Sequence, residues 1–291
     1  SILWPDNKHQ IITNLEVNKT VTITYKNANE TSNLNSKSNT LFENIETSSI
    51  GINYTQKENN FNDFDLQLLL PQKQSENSSA LAVGDINNDG LDDFFVGNAK
   101  DAVASLYVQN PNGVFVETNP NLFHLDRIFE DTDAEFVDID NDNDLDLYVT
   151  SGGYENLENS KLLQNRLYLN NGKGIFKKTK LFENLIQTKK AVFSDFDQDG
   201  DQDVFLVGGV EHGRYPLSFE PYLLENKEGQ FTNVTAERIN DLSNLPVIND
   251  ALFSDYDHDG DLDLIVVGEW MSIVFYENID NTFSKKDILG L

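Results

Sequence analysis

The amino-acid sequence predicts an all-β protein, and three observations indicate a β-propeller. An acidic segment of nine residues occurs four times along the chain. Each copy runs directly into a short apolar strand, and successive copies begin 53, 57 and 60 residues apart. A period of this size is typical of repeat architectures. The pattern predicts four strands in each unit of about 55 residues, which is the composition of one propeller blade.

The four acidic segments, called loops 1 to 4, have the spacing of a metal site. Positions 1, 3, 5 and 9 are aspartate, apart from one asparagine. Such a set, completed by a main-chain carbonyl at position 7, suits Ca²⁺, which binds six to eight oxygens at about 2.3–2.6 Å. The predicted ligands are Asp85, Asn87, Asp89, Leu91 and Asp93 in loop 1, Asp138, Asp140, Asp142, Asp144 and Asp146 in loop 2, Asp195, Asp197, Asp199, Asp201 and Asp203 in loop 3, and Asp255, Asp257, Asp259, Asp261 and Asp263 in loop 4.

Two loops depart from the common pattern. Loop 1 has Asn87 at position 3, which removes one negative ligand and predicts weaker calcium binding. Loop 2 has Asn143 at position 6, where the other loops have glycine. The tight turn needs positive φ at this position, and asparagine tolerates the left-handed region. We therefore expect a calcium ion in all four loops.

Two other interpretations of the loops were weighed. A single copy is compatible with an acidic surface turn, because Asp, Asn and Gly dominate turns. Four copies in one register favour metal binding. An EF-hand needs a bidentate Glu at position 12 and a following helix. Position 12 is instead apolar and lies within a strand-forming run in each loop: Val96, Val149, Leu206 and Val266. The loops are therefore predicted to close β-hairpins around a structural metal.

The composition limits the classes of partner. The formal net charge is −28, and the loops hold 19 of the 49 acidic residues, four in loop 1 and five in each other loop. Four calcium ions would leave a net charge of about −20, which argues against nucleic acid and against anionic membrane surfaces. The chain has no cysteine, so disulfides and cysteine-based zinc sites are excluded. The sequence shows no membrane span, and we expect no direct membrane insertion by this segment.

The parts of the chain before the repeats differ from one another. Residues 1–28 contain Trp4-Pro5-Asp6, then Gln10, and the alternating run 21–25, which predicts a strand. Residues 29–40 are rich in Asn, Ser and Thr and are predicted to be a linker. Residues 41–291 are predicted to form the propeller blades. Their third strands are each followed by an asparagine-containing turn and a phenylalanine: Phe115, Phe176, Phe231 and Phe283.

Two parts of the sequence resemble known families. Residues 1–28 resemble the end of the ASPIC/UnbV module. The loops, with Ser151-Gly152-Gly153, Tyr215-Pro216 and Gly268-Glu269-Trp270-Met271, resemble FG-GAP/VCBS repeats in the form found in large surface proteins of Bacteroidota. That resemblance implies a calcium-binding propeller that is extracellular or anchored at the bacterial cell surface, in association with the outer membrane. Rings of this kind are expected to hold about seven blades. We therefore expect the four blades to be part of a larger ring and of a longer polypeptide.

Two functions are compatible with the sequence. The first is a non-catalytic interaction module whose rim, near Tyr215 and Trp270, binds protein or glycan, beside outer-membrane uptake machinery as the resemblance suggests. The second is a calcium-dependent polysaccharide lyase or hydrolase on a propeller scaffold. The four histidines form no metal-type pair in the sequence, and no nucleophile elbow or phosphate loop occurs. We therefore predict no catalytic residues and no cofactor other than calcium.

Overall fold

The structure is a computed structural model, and it describes residues 2–4, 6, 8–14, 16–28, 30–31, 42–76, 80–181, 183, 185–239, 241–242 and 245–286. The chain divides into two compact units, residues 1–46 and residues 47–291. Where the chain is described, none of the helices has the length and apolar character that a membrane span requires.

The first unit holds a small antiparallel sheet of three strands, β1 (Ile2–Leu3), β2 (Lys8–Gln10) and β3 (Glu30–Thr31). Trp4 packs edge-on against Tyr25, with the ring centroids 5.3 Å apart. The strand predicted for residues 21–25 is wrong, because Tyr25–Asn27 form a 3-10 turn and Val21 and Ile23 are both more than 40% exposed. Most of the predicted linker lies outside the described residues, and only β3 falls within it.

The second unit contains four antiparallel sheets of four strands, as the sequence predicts, and we call them blades 1 to 4. In each blade the strands follow chain order. The strands are β4 (Leu81–Gly84), β5 (Asp93–Val96), β6 (Ser105–Gln109) and β7 (Phe115–Thr118) in blade 1; β8 (Asp131–Val137), β9 (Asp146–Ser151), β10 (Arg166–Leu169) and β11 (Lys177–Thr179) in blade 2; β12 (Thr188–Ser194), β13 (Asp203–Gly208), β14 (Tyr222–Lys227) and β15 (Gln230–Asn233) in blade 3; and β16 (Ile248–Ser254), β17 (Asp263–Gly268), β18 (Val274–Ile279) and β19 (Thr282–Lys286) in blade 4.

Three hydrophobic cores are each shared by two successive blades. Blades 1 and 2 bury one cluster between them, blades 2 and 3 a second, and blades 3 and 4 a third. Alternation along a strand explains this arrangement, because successive side chains point to opposite faces of a sheet. In β9, Leu147 packs towards blade 1 and Tyr148 towards blade 3. All six residues of β9 and of β13 are therefore buried, which accounts for their unbroken apolar runs.

The two outer blades have one face without a neighbouring blade among the described residues. The first strands of the blades pack in chain order, β4 on β8, β8 on β12 and β12 on β16. Strands β5 and β17 are accordingly buried more completely on one face than on the other. Leu81 and Val83 of blade 1 and Leu252 of blade 4 are half exposed or more. The described sheets do not close into a ring.

Residues 54–75, called the crossing segment, run over three blades at the ends of β5, β9 and β13. Near its start the Tyr54 hydroxyl donates to the Gly97 carbonyl in blade 1, at 2.6 Å. Further on it forms the short helix α1 (Asp63–Leu66), and Leu70 is buried in a cluster with residues next to strands of blades 2, 3 and 4. Two more helices, α2 (Pro120–Asp126) and α3 (Thr235–Arg238), lie after the last strands of blades 1 and 3.

Candidate functional site

The four acidic loops connect the first and second strands of the four blades. Position 6 has positive φ in every loop, including Asn143 of loop 2 at +67°, as predicted. Position 4 is also left-handed in every loop, with φ between +59° and +65°: Asn88, Asn141, Gln198 and His258. This second left-handed position was not predicted from the sequence. Asparagine adopts this region more readily than most residues. Two left-handed residues in nine curl each loop into a tight turn.

The loop carboxylates are held by main-chain amides of the same loop. In loop 1 the two oxygens of Asp85 accept hydrogen bonds from the amides of Asp89, at 3.1 Å, and Gly90, at 2.7 Å. Position 5 accepts from the amide of position 7 in all four loops, at 2.9–3.2 Å. This pattern directs the side chains towards the inside of the turn. The loop shape is therefore established by hydrogen bonds of the chain itself.

Three loops bring carboxylate oxygens from three residues within 4.8 Å of one another, which is a spacing that can hold one metal ion. Loop 1 has asparagine at position 3 and forms no such trio of carboxylates among the described residues. Loop 2 uses positions 1, 3 and 9, whereas loops 3 and 4 use positions 1, 3 and 5. The trios are Asp138, Asp140 and Asp146; Asp195, Asp197 and Asp199; and Asp255, Asp257 and Asp259.

The aspartate at position 9 is buried in every loop and joins the loop to the third strand of its blade. In blade 3, Asp203 accepts from the amide of Phe196 at 3.2 Å and from that of Asn226 at 2.8 Å. The equivalent pairs of bonds occur in the other three blades. A buried carboxylate with two amide donors is a structural support. Position 9 therefore fixes the loop whether or not it also contacts a metal.

Position 7 side chains take part in contacts outside their own loop. In loop 2 Asp144 accepts a hydrogen bond from Asn88 of loop 1, at 3.3 Å. In loop 3 Asp201 accepts from Asn141 of loop 2 and from the amide of Glu228. Gln198 of loop 3 reaches the carbonyl of Gly260 in loop 4, at 2.9 Å. Position 4 of loops 1 to 3 thus contacts the next loop, so the four loops form one connected row.

A second connection between blades comes from an asparagine in or just after the third strand. In blade 3 the Asn226 amide donates to the Gln202 carbonyl of its own loop at 3.1 Å and to the Ile139 carbonyl of loop 2 at 2.9 Å. Asn170 and Asn278 make the same pair of bonds in blades 2 and 4. Blade 1 has Gln109 at this position. We call Asn170, Asn226 and Asn278 the asparagine clamps. From the sequence, the asparagines after the third strands were expected only to form turns.

Burial and mutual repulsion raise the pKa of several loop carboxyl groups. The pKa of Asp146 rises to about 7, chiefly through burial and further through Asp140 and Asp142, although two amide donors oppose the rise. Asp203 behaves in the same way, with a pKa of about 7. The raised pKa values mean that these carboxyl groups ionise without a positive charge nearby to compensate them. A bound cation would supply that positive charge.

A separate group of polar and aromatic side chains surrounds Trp270, and we call it the aromatic rim. Trp270 is 76% exposed and its backbone is left-handed, with φ of +59°. Its indole N–H donates to the Tyr215 hydroxyl at 3.0 Å, and that hydroxyl donates to Glu269 at 2.6 Å. Gln67 of the crossing segment bonds both the amide and the carbonyl of Tyr215. The rim therefore has a fixed geometry although its largest ring faces solvent.

The histidines are dispersed in the structure. His212 contacts the Tyr154 carbonyl at 2.8 Å and His124 contacts Arg127, whereas His258 occupies position 4 of loop 4. His9 lies in β2 of the first unit. Within the described residues, the metal-binding groups of three or more side chains consist of loop aspartates. No histidine joins them.

Comparison with protein families gives a match within the repeats. A family model described as FG-GAP-like repeat matches residues 85–149 and 195–266. These two stretches are similar to FG-GAP-like repeats. The first match runs from loop 1 to β9 and the second from loop 3 to β17, so each covers one loop-to-loop period. Each FG-GAP-like match begins at a loop and ends in the strand that follows the next loop, where the four-fold pattern is strongest. The resemblance of residues 1–28 to the ASPIC/UnbV module remains a prediction.

Two solved structures are similar to this chain at low identity. One is a lectin of Agrocybe aegerita that recognises non-reducing terminal N-acetylglucosamine, with 16% identity and a TM-score of 0.47 over 74% of this chain and 53% of the lectin. The other is the Vibrio cholerae biofilm matrix protein Bap1, with 14% identity and a TM-score of 0.30 over 72% of this chain and 30% of Bap1. The matched region thus spans about half of one and less than a third of the other. Among curated proteins no significant match is found.

Proposed function

We propose that this chain is a non-catalytic binding module, in which calcium in the four loops stabilises the blades and the aromatic rim contacts a glycan or a protein. Trp270 carries the binding part of the proposal. An indole that is 76% exposed yet held by Tyr215 loses little conformational freedom when a ligand covers it. Tryptophan and tyrosine are also typical of the residues that dominate binding energy.

The calcium part of the proposal rests on the repeated loop geometry. In each of three loops, carboxylate oxygens from three residues lie within 4.8 Å of one another, and main-chain amides of the same loop hold the carboxylates by hydrogen bonds. Oxygen-only ligand sets of this kind favour Ca²⁺ over transition metals. Because loop 1 has Asn87 in place of an aspartate, its affinity should be the lowest of the four. The metal is proposed to act structurally, by neutralising carboxylates that otherwise repel one another.

Calorimetric titration of metal-free protein with Ca²⁺ tests the calcium part. We expect up to four ions in the loops and a rise in the melting temperature on binding, since a ligand at 100 times its dissociation constant stabilises the folded state by about 2.7 kcal/mol per site. Asp257→Ala, which deletes the position 3 ligand altogether, should remove one loop ion. Absence of calcium binding, or melting curves that are the same in chelator and in excess Ca²⁺, would contradict the proposal.

Binding to immobilised glycans and to surface proteins tests the aromatic rim. We expect Trp270→Ala to abolish binding and Tyr215→Phe, which leaves the indole N–H without its acceptor, to weaken it. Phe42→Ala is the matched control, because Phe42 is an 89% exposed aromatic residue of the first unit. Equal loss of binding in the control, or full binding by Trp270→Ala, would exclude the rim as the contact surface.

The lyase or hydrolase alternative makes a different prediction. It requires product to accumulate from a polysaccharide, at a rate that one substitution outside the loops abolishes. We propose binding without turnover. As the resemblance implies, we also propose a location outside the cytoplasm or at the bacterial cell surface, beside an outer-membrane uptake system, where calcium is abundant. Fractionation of the native organism would test that location.

A further inference from the structure

A cavity of about 560 Å³ lies beside the two outer strands of blade 2, at the strand ends opposite loop 2. Its lining comes from the start of β10, from the end of β11 and from the turn before β8, and includes Arg166, Lys178, Lys180 and Phe129. The volume lies within the range of small-molecule sites, about 300–1,000 Å³. None of its described lining residues belongs to the loops or to the aromatic rim.

The lining of this cavity has the opposite charge to the chain as a whole. Arg166, Lys178 and Lys180 line it, and among the described residues one carboxylate, that of Glu183, lines it with them. The whole chain has 21 Lys and Arg against 49 Asp and Glu. The field of such a chain repels anions, and a local reversal of sign attracts them. The cavity is therefore a place where an anion can be held.

Arg166 is buried and fixed in orientation, yet part of its guanidinium remains unused. Its Nε donates to the Ser151 hydroxyl at 3.2 Å, and its Nη2 donates to Asp131 at 2.5 Å and to the Thr150 carbonyl at 3.4 Å. The other terminal nitrogen, Nη1, makes no hydrogen bond to the described residues, although Arg166 is only 3% exposed. A guanidinium keeps its charge and all five N–H donors in proteins. Nη1 therefore has two N–H donors left for a ligand in the cavity.

The two lysines of the cavity differ in how far they are neutralised. Lys178 forms an ion pair with Asp126, at 2.6 Å. Neither Asp126 nor Asp131 is among the described residues that line the cavity, so the cationic member of each ion pair is the one that reaches it. Lys180 is exposed and forms no ion pair or side-chain hydrogen bond with the described residues. The cavity thus combines one free ammonium group with the free nitrogen of Arg166.

We propose that this cavity binds the carboxylate or sulfate group of an acidic sugar, with Arg166 Nη1 and Lys180 Nζ as the groups that contact the anion. Hydrogen bonds between such cations and oxyanions are roughly twice as strong as neutral ones. The half-buried ring of Phe129, whose centroid lies 4.7 Å from the Arg166 guanidinium, offers an apolar surface to the sugar ring. The ligand class rests on the glycan part of the proposed function, but the cavity shares no described residue with the aromatic rim.

Titration of the full chain with glucuronate, glucose 6-sulfate and glucose, followed by saturation-transfer NMR at low ionic strength, tests the site. We expect at least one of the two anionic sugars to bind, and glucose to bind more weakly than either. Lys180→Ala should weaken binding of the anionic sugar about twofold to fivefold, which corresponds to the loss of one exposed charge pair. Lys177→Ala is the matched control, because Lys177 is an exposed lysine that does not line the cavity, and its removal changes the net charge equally. It should leave the affinity unchanged.

Three results would overturn the proposal: no binding of either anionic sugar, binding of glucose as tight as that of the anionic sugars, or equal affinities for Lys180→Ala and Lys177→Ala. Otherwise the tighter of the two anionic sugars identifies the preferred group as carboxylate or sulfate. Trp270→Ala should keep the binding of the anionic sugar, whereas Lys180→Ala should keep any binding at the aromatic rim. Failure of the cavity and failure of the rim are thus distinguishable.

Discussion

At the scale of single residues, position 9 of the loops has two roles that the sequence pattern cannot separate. The nine-residue spacing predicts a metal ligand. The structure shows that the same aspartate accepts two main-chain hydrogen bonds inside the blade, one from its loop and one from the third strand. In loop 1 this residue is Asp93, which is fully buried, whereas its neighbour Asp92 is exposed. Two adjacent aspartates therefore offer a direct comparison.

We predict that Asp93→Ala lowers the free energy of unfolding by about 2–4 kcal/mol, even in metal-free buffer. The substitution leaves the amides of Ile86 and Gln109 without acceptors, and each buried unsatisfied donor costs about 1–3 kcal/mol. Asp92→Ala should change the free energy by less than about 0.5 kcal/mol, as is usual for an exposed position. Urea unfolding of both variants measures the difference. Equal effects would show that position 9 contributes only charge.

At the scale of structural elements, the blades are joined by polar contacts as well as by their shared cores. The asparagine clamps connect each third strand to the loop of the preceding blade. Asn226 is fully buried and donates to two carbonyls, one of which lies 87 residues away along the chain. Loss of this side chain leaves two buried carbonyl oxygens with fewer donors and opens a small space. The clamps therefore contribute to the packing of one blade on the next.

We predict that Asn226→Ala destabilises the protein by about 2–3 kcal/mol, from two lost hydrogen bonds and the unsatisfied carbonyl groups that remain. Gln109→Ala is the control. Gln109 occupies the equivalent position in blade 1, where its main-chain amide donates to Asp93 and its side chain makes no hydrogen bond to the described residues. Its truncation should cost well under 1 kcal/mol. Thermal unfolding of the two variants measures the two losses of stability. Similar losses would mean that the hydrogen bonds of the clamp do not contribute to stability.

The sequence predicts the blades well and the contacts between them poorly. Strands such as β9 and β13 are evident because unbroken apolar runs follow a repeated acidic loop. Asn226 is visible in the sequence too, but its partner, the Ile139 carbonyl, depends on how two blades pack. The crossing segment has neither periodicity nor a repeat, so its hydrogen bonds to Gly97, Glu155 and Tyr215 cannot be predicted from the sequence. The predicted metal ligands of the loops remain predictions.

At the scale of the whole molecule, the dominant electrostatic feature is the concentration of negative charge in one row of loops. The formal charge of −28 includes 19 loop aspartates. Raised pKa values for Asp146 and Asp203 show that the folded state without a cation favours protonated carboxyl groups there. In the unfolded chain the same groups have a pKa near 3.8. The stability of the metal-free protein should therefore depend strongly on pH.

We predict that the free energy of unfolding of metal-free protein falls as pH rises from about 4 to about 7. Each raised group stabilises the folded state fully below its unfolded pKa, and this contribution is lost as pH passes through the folded pKa. The loss should be on the order of 2 kcal/mol for each of the two aspartates, about half of what the full pKa shift implies, because solvent screens part of the effect. Unfolding curves at pH 4.5, 5.5, 6.5 and 7.5, with and without saturating Ca²⁺, measure it.

Calcium should abolish this loss, because a bound ion stabilises the ionised carboxylates. Other acids outside the loops with raised pKa values, such as Glu135 at about 7, contribute the same pH dependence in both conditions. The difference between the pH dependence of stability without Ca²⁺ and that with Ca²⁺ therefore reports on the metal sites alone. A metal-free protein whose stability is constant over this range, or a slope that calcium leaves unchanged, would contradict the electrostatic account of the loops.

Each of the first three loops is contacted by the blade that follows it. Asn88, Asn141 and Gln198 each reach forward to the next loop, and each asparagine clamp reaches back to the loop before it. Loops 1 to 3 are thus supported by the blade that follows them. Loop 4 has no such support within the described residues, since His258 has no later loop to contact there. The row has a polarity, and it should fray from one end: on gradual chelation, loop 4 should become disordered before loop 3 does.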